Sequence, residues 1–497
     1  MSNIRVTYSG LIAFVVGIIS VITGIVFTLI VTRRLSPEEF GLWAVIGSMI
    51  SYFLITEPII SYWSTRQIAR GEDIGKTSLV SSTLFSFGSI PIYLILVIFV
   101  SSRSNSDLAP MMLAAVLLPV TFISQTLAGI NLGHKPHAIS YGLLAFETMK
   151  IPVGLVLVYF FDMGISGAIF AVTVAYLGKI VIQLYFARVK LKNKLNMQTF
   201  RRWIKLSWLP LYTNIGHILW SLDVVLYSII TGSMVGVAYY AVSLTIAGII
   251  SHAGLISQAL YPKLLAKGTQ AYIQENFTRL MYFLIPLFGI AVIFSKYALF
   301  ALNPNYEAAS TIVVLISVRT FFYVLTGVLY QVLVGMENVD VEKNPRYSSL
   351  AKSKLFLVPT LGNIHAGIYI VSLSITISMM TSFATELELV IWWAVIMSVL
   401  QVPFFIYALI QVKKIAKFSF LSKEVVKYVM GTITFVIVFY FTADSIINYQ
   451  ISIFQYLPTL LLELAICIGV YLLVTYVIDK KTRILLRAIF QEFKNKT

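Results

Sequence analysis

The chain has 497 residues, of which 58% are hydrophobic and only 12% charged, with a mean hydropathy of +0.87. That balance excludes a water-soluble globular core of this size. The single cysteine, Cys467, lies inside an apolar run and excludes a disulfide framework or a multi-cysteine metal site. The net charge of +16 invites a nucleic-acid reading, which the placement of the charges removes.

Met1 to Gly10 carries one arginine and leads into an apolar run without a small-residue cleavage site, so it reads as a retained first helix rather than a removed signal peptide. From Gly10 to Gly71 the pattern is an apolar run (Leu11 to Val31), a polar turn (Thr32 to Glu39), a second apolar run (Phe40 to Trp63) and the basic loop RQIARGED at Arg66 to Asp73. At ~1.5 Å per residue each run can cross ~30 Å of hydrocarbon, which makes this a membrane helical hairpin. The layout returns in mid-chain. With Trp208 aligned on Leu11, Ala44 and Val45 meet Ala241 and Val242, and Ala69-Arg70-Gly71 meets Ala266-Lys267-Gly268.

Long apolar runs predict an all-α polytopic membrane protein of about fourteen spans, at roughly 11–31, 40–63, 79–101, 109–131, 138–160, 165–187, 206–231, 236–261, 280–301, 307–334, 355–380, 387–411, 426–443 and 455–478. The eleventh is expected to be broken by Pro359 and Gly362, and the thirteenth is short. Of the 37 Lys and Arg residues, Lys150, Lys179 and Arg319 lie deep inside spans, and Arg33, Arg34, Arg103 and Lys296 belong with odd-numbered spans. All the others fall at the termini, after even-numbered spans or, in the case of Lys427, at the very start of the thirteenth, a bias that predicts both termini in the cytoplasm of a cell membrane. The positive charge is thus an orientation signal with a contribution from anionic lipid headgroups, and no nucleic-acid partner is needed.

The linker at Arg188 to Lys205 follows an even number of spans, so the two halves are parallel repeats. The expected division is a six-helix bundle and linker at 1–205, a second six-helix bundle at 206–417, and two further helices with a cytoplasmic tail at 418–497. The connections on the other side, such as Phe161 to Gly164 and Thr231 to Val235, are too short for an outer domain.

An ionisable side chain at membrane depth costs about 2.5–3.5 kcal/mol on insertion scales, so such residues mark cavities or paired sites. Glu57 stands beside Pro58, which opens the backbone there; it reads as a proton-accepting, hinge-coupled group or as a structural cap for freed backbone groups. Glu147 and Lys150 are three apart on one helix face and either neutralise each other or face a cavity. Lys179 is about two turns from a span end and either snorkels or lines a cavity. Arg319, central in LISVRTFFY, needs an anion or an internal carboxylate. Asp223, in WSLDVVLY, can pair with Arg319 or bind a coupling cation. His217, His252 and His365 are expected only to hydrogen-bond neighbours. Trp392-Trp393 and Phe321-Phe322 read as packing or interfacial groups, and Asn276-Phe277-Thr278 lies in a predicted cytoplasmic loop where it stays unglycosylated. No catalytic or metal-binding set stands out.

RLSPEEFGLWAVIGSMISYF at Arg34 to Phe53, with RQIARGED after it, resembles the opening hairpin of polysaccharide and O-antigen flippases. These form the oligosaccharidyl-lipid branch of the superfamily that also contains the MATE drug exporters. SLDVVLYSIITGSMVGVAYYAV at Ser221 to Val242 is similar to that family's seventh-span signature, with Asp223 at the aspartate and Gly236 with Tyr239 or Tyr240 at the Gly-Tyr pair. Glu57-Pro58 departs from the family's aspartate and glycine in the second span. The resemblance implies two six-helix bundles about a V-shaped cavity that opens to each side in turn. Its implied cargo is a polyprenyl- or dolichyl-linked oligosaccharide, carried to the outer leaflet for surface polysaccharide or glycoprotein synthesis. Arg319, Lys150 and Lys179 are then candidates for the substrate phosphates, and Asp223, Glu57 and Glu147 for ion coupling or gating. No cofactor is expected beyond a proton or sodium gradient. The expected partners are the lipid-linked substrate, membrane lipids and polysaccharide-assembly proteins. The alternatives are a cation-coupled MATE-type drug exporter, a polytopic glycosyltransferase or ligase, and a membrane scaffold.

Overall fold

The structure is a computed structural model that describes residues 6–257, 260–265, 270–337, 352–416, 419–420, 422–480 and 482–483. Among the described residues every regular element is helical. In chain order these are α1 (Val6–Arg34), α2 (Pro37–Leu54), α3 (Pro58–Ala69), α4 (Gly75–Ser104), α5 (Leu108–His134), α6 (His137–Phe160), α7 (Gly164–Ala187), the short α8 (Met197–Lys205), α9 (Trp208–Thr231) and α10 (Met234–Ser257). They continue with α11 (Leu260–Leu265), α12 (Gln270–Ile293), α13 (Ser295–Leu302), α14 (Pro304–Gly335), α15 (Lys354–Met380), α16 (Glu386–Ile415), α17 (Lys423–Ile446) and α18 (Ile453–Ile478).

Twelve of the described helices are long and apolar enough to cross a membrane, or thirteen if the bent pair α2–α3 is counted as one span. Ahead of them stands α1, 29 residues long. The chain is a multi-pass membrane protein. Its outward faces carry the apolar side chains a soluble protein hides, such as Ile95 at 69% and Phe441 at 81% exposure. The expected break in the eleventh span is absent: α15 runs unbroken from Lys354 to Met380 through Pro359, which removes a single backbone donor from the helix. The thirteenth span is longer than its apolar run, since α17 extends into Lys423 and Lys427, whose stems can cross the interface.

Local chemistry sets the second span. Ser36 and Glu39 form a capping box around Pro37 and so fix the start of α2. At Pro58 the missing N–H interrupts the ladder; Glu57 N–H bonds to Leu54 O at 3.1 Å, and α2 and α3 meet at a bend of 55°.

The contacts divide the chain into two compact units, Met1–Tyr239 with Ala366–Leu389, and Tyr240–His365 with Val390–Thr497. In the first unit α6 and α7 form a long hairpin packed on α1, α5 packs against α3, α4 and α7, and α9 lies against α2 and α4. Gly232 ends α9 in the left-handed region, with φ +69°, and donates its N–H to Ser228 O at 3.0 Å. A Cβ at Gly41 would run into the backbone carbonyl of Met234.

In the second unit α12 packs on α14 and on the last turns of α10. Against α12 lies α17, itself paired with α18. Tyr471 of α18 donates to Tyr282 O at 2.6 Å, and Phe439 of α17 packs on Phe294 at 4.7 Å.

Because the obstacle at Gly41 is backbone rather than a movable side chain, Gly41→Val is expected to destabilise the folded protein by about 1–3 kcal/mol. Thermal unfolding in detergent reads this, with Gly47→Val, where a Cβ meets nothing, as the tolerated control.

Candidate functional site

Four buried polar centres hold the ionisable residues singled out in the sequence. The first is built on α1 and α6. Ser20 and Thr23, three apart on α1, donate their hydroxyls to Glu147 Oε1 and Oε2, each at 2.7 Å. One turn along α6, Lys150 Nζ reaches Glu147 Oε2 at 2.6 Å. Glu147 is 3% and Lys150 7% exposed, and Phe27 and Phe146 flank the ammonium with ring centroids at 5.5 and 5.0 Å. From α7, Lys179 lies within electrostatic reach of the same carboxylate, with its ammonium 5.7 Å from the Tyr176 ring. One carboxylate therefore holds two hydroxyls and one ammonium directly and attracts a second. Such a pair persists in a low-dielectric interior only while both partners are present.

The second centre sits on the α2–α3 bend. Glu57 Oε2 accepts from Ser61 at 2.8 Å and Oε1 from Thr126 of α5 at 2.8 Å. Both donors are hydroxyls, and the carboxylate makes no cap bond to α3. Beside it a cleft of about 530 Å³ runs between α3 and α5, lined by Pro58, Ser61, Thr65, Arg66 and Gly129 among others. Arg66 donates to Tyr62 Oη at 2.6 Å within this lining.

The third centre belongs to α9. Asp223 Oδ2 accepts the hydroxyl of Tyr369, on α15, at 2.8 Å, and Trp220 stacks on the Tyr369 ring at 4.2 Å. Ser48 and Tyr52 of α2 both donate to Ser221 O at 2.6 Å, close to the aspartate level. Tyr369 and the two α2 hydroxyls gave no sequence signal, since the partners are far apart in the chain.

The fourth centre lies in the second unit. The Arg319 guanidinium stacks over Tyr323 at 4.5 Å and acts electrostatically on His365 of α15. His365 stacks face to face on Phe404 of α16 at 4.2 Å, and Gln401 of the same helix donates to Thr326 at 3.1 Å. Arg319 and Asp223 fall in different units. Of the paired aromatics, Trp393 is fully buried and stacks on Tyr240 at 3.9 Å.

The structure adds an acid that the sequence reading does not single out. Glu463, in the middle of α18, is 0% exposed and accepts from Thr442 of α17 at 2.7 Å. It was as visible in the sequence as Glu57, as an acid within a predicted span. Among the described residues no group of three or more His, Cys, Asp or Glu is placed to hold a metal ion.

Outside the membrane, Asp73 of the basic loop accepts from Lys190 Nζ at 2.5 Å, and this bond and charge hold its carboxyl below the ordinary aspartate value. At the end of α18, burial opposes ionisation of Asp479, but bonds from Thr482 and Lys427 prevail and keep it below the usual value.

The sequence matches no protein-family model and no curated protein. Solved structures do match. The lipid II flippase MurJ, in an inward closed conformation, aligns over 95% of this chain and 99% of its own, with a TM-score of 0.67 at 14% identity. A multidrug resistance MATE family transporter of the MOP superfamily, inward-facing, aligns over 80% of this chain and 95% of its own, with a TM-score of 0.57 at 12% identity. The MATE multidrug transporter DinF-BH covers 83% of this chain and 96% of its own, with a TM-score of 0.56 at 13% identity. The fold is therefore the polytopic helical fold shared by these solved transporters.

Proposed function

We propose that the protein is an alternating-access membrane transporter that flips a polyprenyl- or dolichyl-linked oligosaccharide from the cytoplasmic to the outer leaflet. The observation that supports this reading best is a fold match to a lipid flippase over 95% of the chain. The cargo suits a protein of this kind. Its tail stays in hydrocarbon, while the phosphate and sugar need a path lined with polar and cationic groups. Arginine offers paired donors that match phosphate, and lysine a compact charge, so Arg319, Lys150 and Lys179 are the proposed phosphate ligands.

The arrangement around Glu147 suggests how grip and release are coupled. Glu147 occupies Lys150 and attracts Lys179, so its carboxylate competes with a substrate phosphate for both ammonium groups. Glu57, at the bend, and Asp223, bonded across to α15, are the proposed gating or ion-coupling groups.

A second reading, export of amphipathic drugs in the MATE manner, draws on the MATE fold matches and on the buried carboxylates Glu57, Glu147 and Asp223, which suit cationic cargo. A leaflet-accessibility assay in proteoliposomes separates the two. With a lipid-linked oligosaccharide and an imposed proton or sodium gradient, the flippase reading expects protein-dependent exposure of the sugar on the far side. Static glycolipid together with uptake of a soluble organic cation selects the drug exporter.

The residue roles have their own test. Arg319→Ala, Asp223→Ala and Glu57→Gln are each expected to lower flipping in folded protein, and intact flipping in all three rejects the assignment. Glu147→Gln is expected to bind polyprenyl phosphate about tenfold tighter than the parent. Unchanged affinity in that variant would remove the competition mechanism.

A further inference from the structure

The linker helix α8 carries a surface that the transport reading does not use. One face of it is fixed to the first unit. Trp203 is 1% exposed and donates its indole N–H to Gln67 Oε1 of α3 at 2.9 Å. Phe200 meets Phe85 of α4 edge to face at 6.2 Å. Just before the helix, the Asn196 N–H bonds to Thr77 of α4 at 2.9 Å, and the Asn196 side chain caps Thr199 N at 3.1 Å. The remaining two faces are open.

At spacings of four and three residues, Met197, Arg201 and Ile204 form one stripe of α8, and Trp208 heads α9 just past the Leu206-Ser207 turn. The apolar residues Met197, Ile204 and Trp208 are 49%, 40% and 60% exposed respectively. Alongside runs a basic stripe ending in Arg202 and Lys205, both exposed. Among the described residues none of Arg201, Arg202 or Lys205 takes part in an ion pair, whereas the nearby Lys190 is held by Asp73.

A helix with an apolar stripe beside a cationic one, pinned to the ends of membrane-spanning helices, has the composition of an interfacial element. The apolar stripe suits the acyl boundary and the basic one the headgroup layer. Their charge selects for anionic lipid, because each Lys or Arg near an anionic surface adds attraction that a zwitterionic surface does not give. We propose that α8 is a binding platform for anionic phospholipid headgroups, with Arg201, Arg202 and Lys205 as the headgroup ligands and Met197, Ile204 and Trp208 inserted beside the acyl chains. This platform is independent of what the protein transports.

Native mass spectrometry of the full chain in detergent, titrated with phosphatidylglycerol or phosphatidylcholine, tests it. The parent is expected to retain phosphatidylglycerol preferentially. The variant R201Q/R202Q/K205Q is expected to lose about fivefold in phosphatidylglycerol affinity per side chain removed, while phosphatidylcholine binding stays level. The control K413Q/K414Q, at the exposed basic end of α16, keeps the preference. All five positions are exposed, so circular dichroism and thermal midpoint should match the parent. Equal retention of the two lipids by the parent, a triple variant that binds like the parent, or a control that loses as much as the triple would each overturn the proposal.

Discussion

Hydrocarbon supplies no counter-charge and no hydrogen bond, and the polar interior of this protein is arranged around that constraint. The cost of an uncompensated charge or backbone group at membrane depth is several kcal/mol, comparable to a large share of a domain's net stability. Glu147 illustrates the response. Its two oxygens receive Ser20, Thr23 and Lys150, so a carboxylate that would be untenable alone becomes the feature that ties α1 to α6. Around it the helices need small or polar faces. The hydroxyls of α1 are therefore positioned by the charge they serve rather than by packing alone.

The bend at Glu57 and Pro58 is the same constraint applied to the backbone. A proline within a span frees a carbonyl, and a soluble protein would leave it to water. Here the chain tightens to a short-range turn and resumes as α3. The carboxylate at the break does not repair the backbone. It takes one hydroxyl from α3 and one from α5, which makes it a clasp from the bend onto α5 rather than a cap. Loss of negative charge there would weaken two bonds at the point where the span is least reinforced, and this is the physical content of a gating role for Glu57.

What the sequence made legible follows from how local each signal is. Apolar length and the distribution of Lys and Arg located the spans, and the polar run Thr32 to Glu39 marked the turn before α2. The proline at position 359 misled because the loss of one backbone donor does not end a helix whose remaining bonds continue on both sides. The candidate charges were visible as residues but their partners were not. Ser20 lies 127 positions from Glu147 and Tyr369 lies 146 from Asp223. Hydroxyls of that kind are too common in membrane helices to stand out before the helices are packed. Glu463 is a different case, an ionisable residue deep in a span that the opening motifs drew attention away from.

The last two helices show why apolar runs alone understate the second unit. Although they lie beyond the twelve helices of the predicted repeat, Phe435, Tyr456 and Cys467 are wholly buried. Tyr456 donates to Tyr297 O at 3.1 Å and Tyr471 to Tyr282 O at 2.6 Å, so α18 satisfies its phenols on carbonyls from the α12–α13 region. A helix pair floating free in lipid would have no reason to turn tyrosines inward, because lipid is as apolar as a leucine and only hydrogen bonds and close packing favour association. The inward tyrosines, the Glu463–Thr442 bond between α17 and α18 and the Phe439 ring packed on Phe294 together make the pair a structural part of that unit's core.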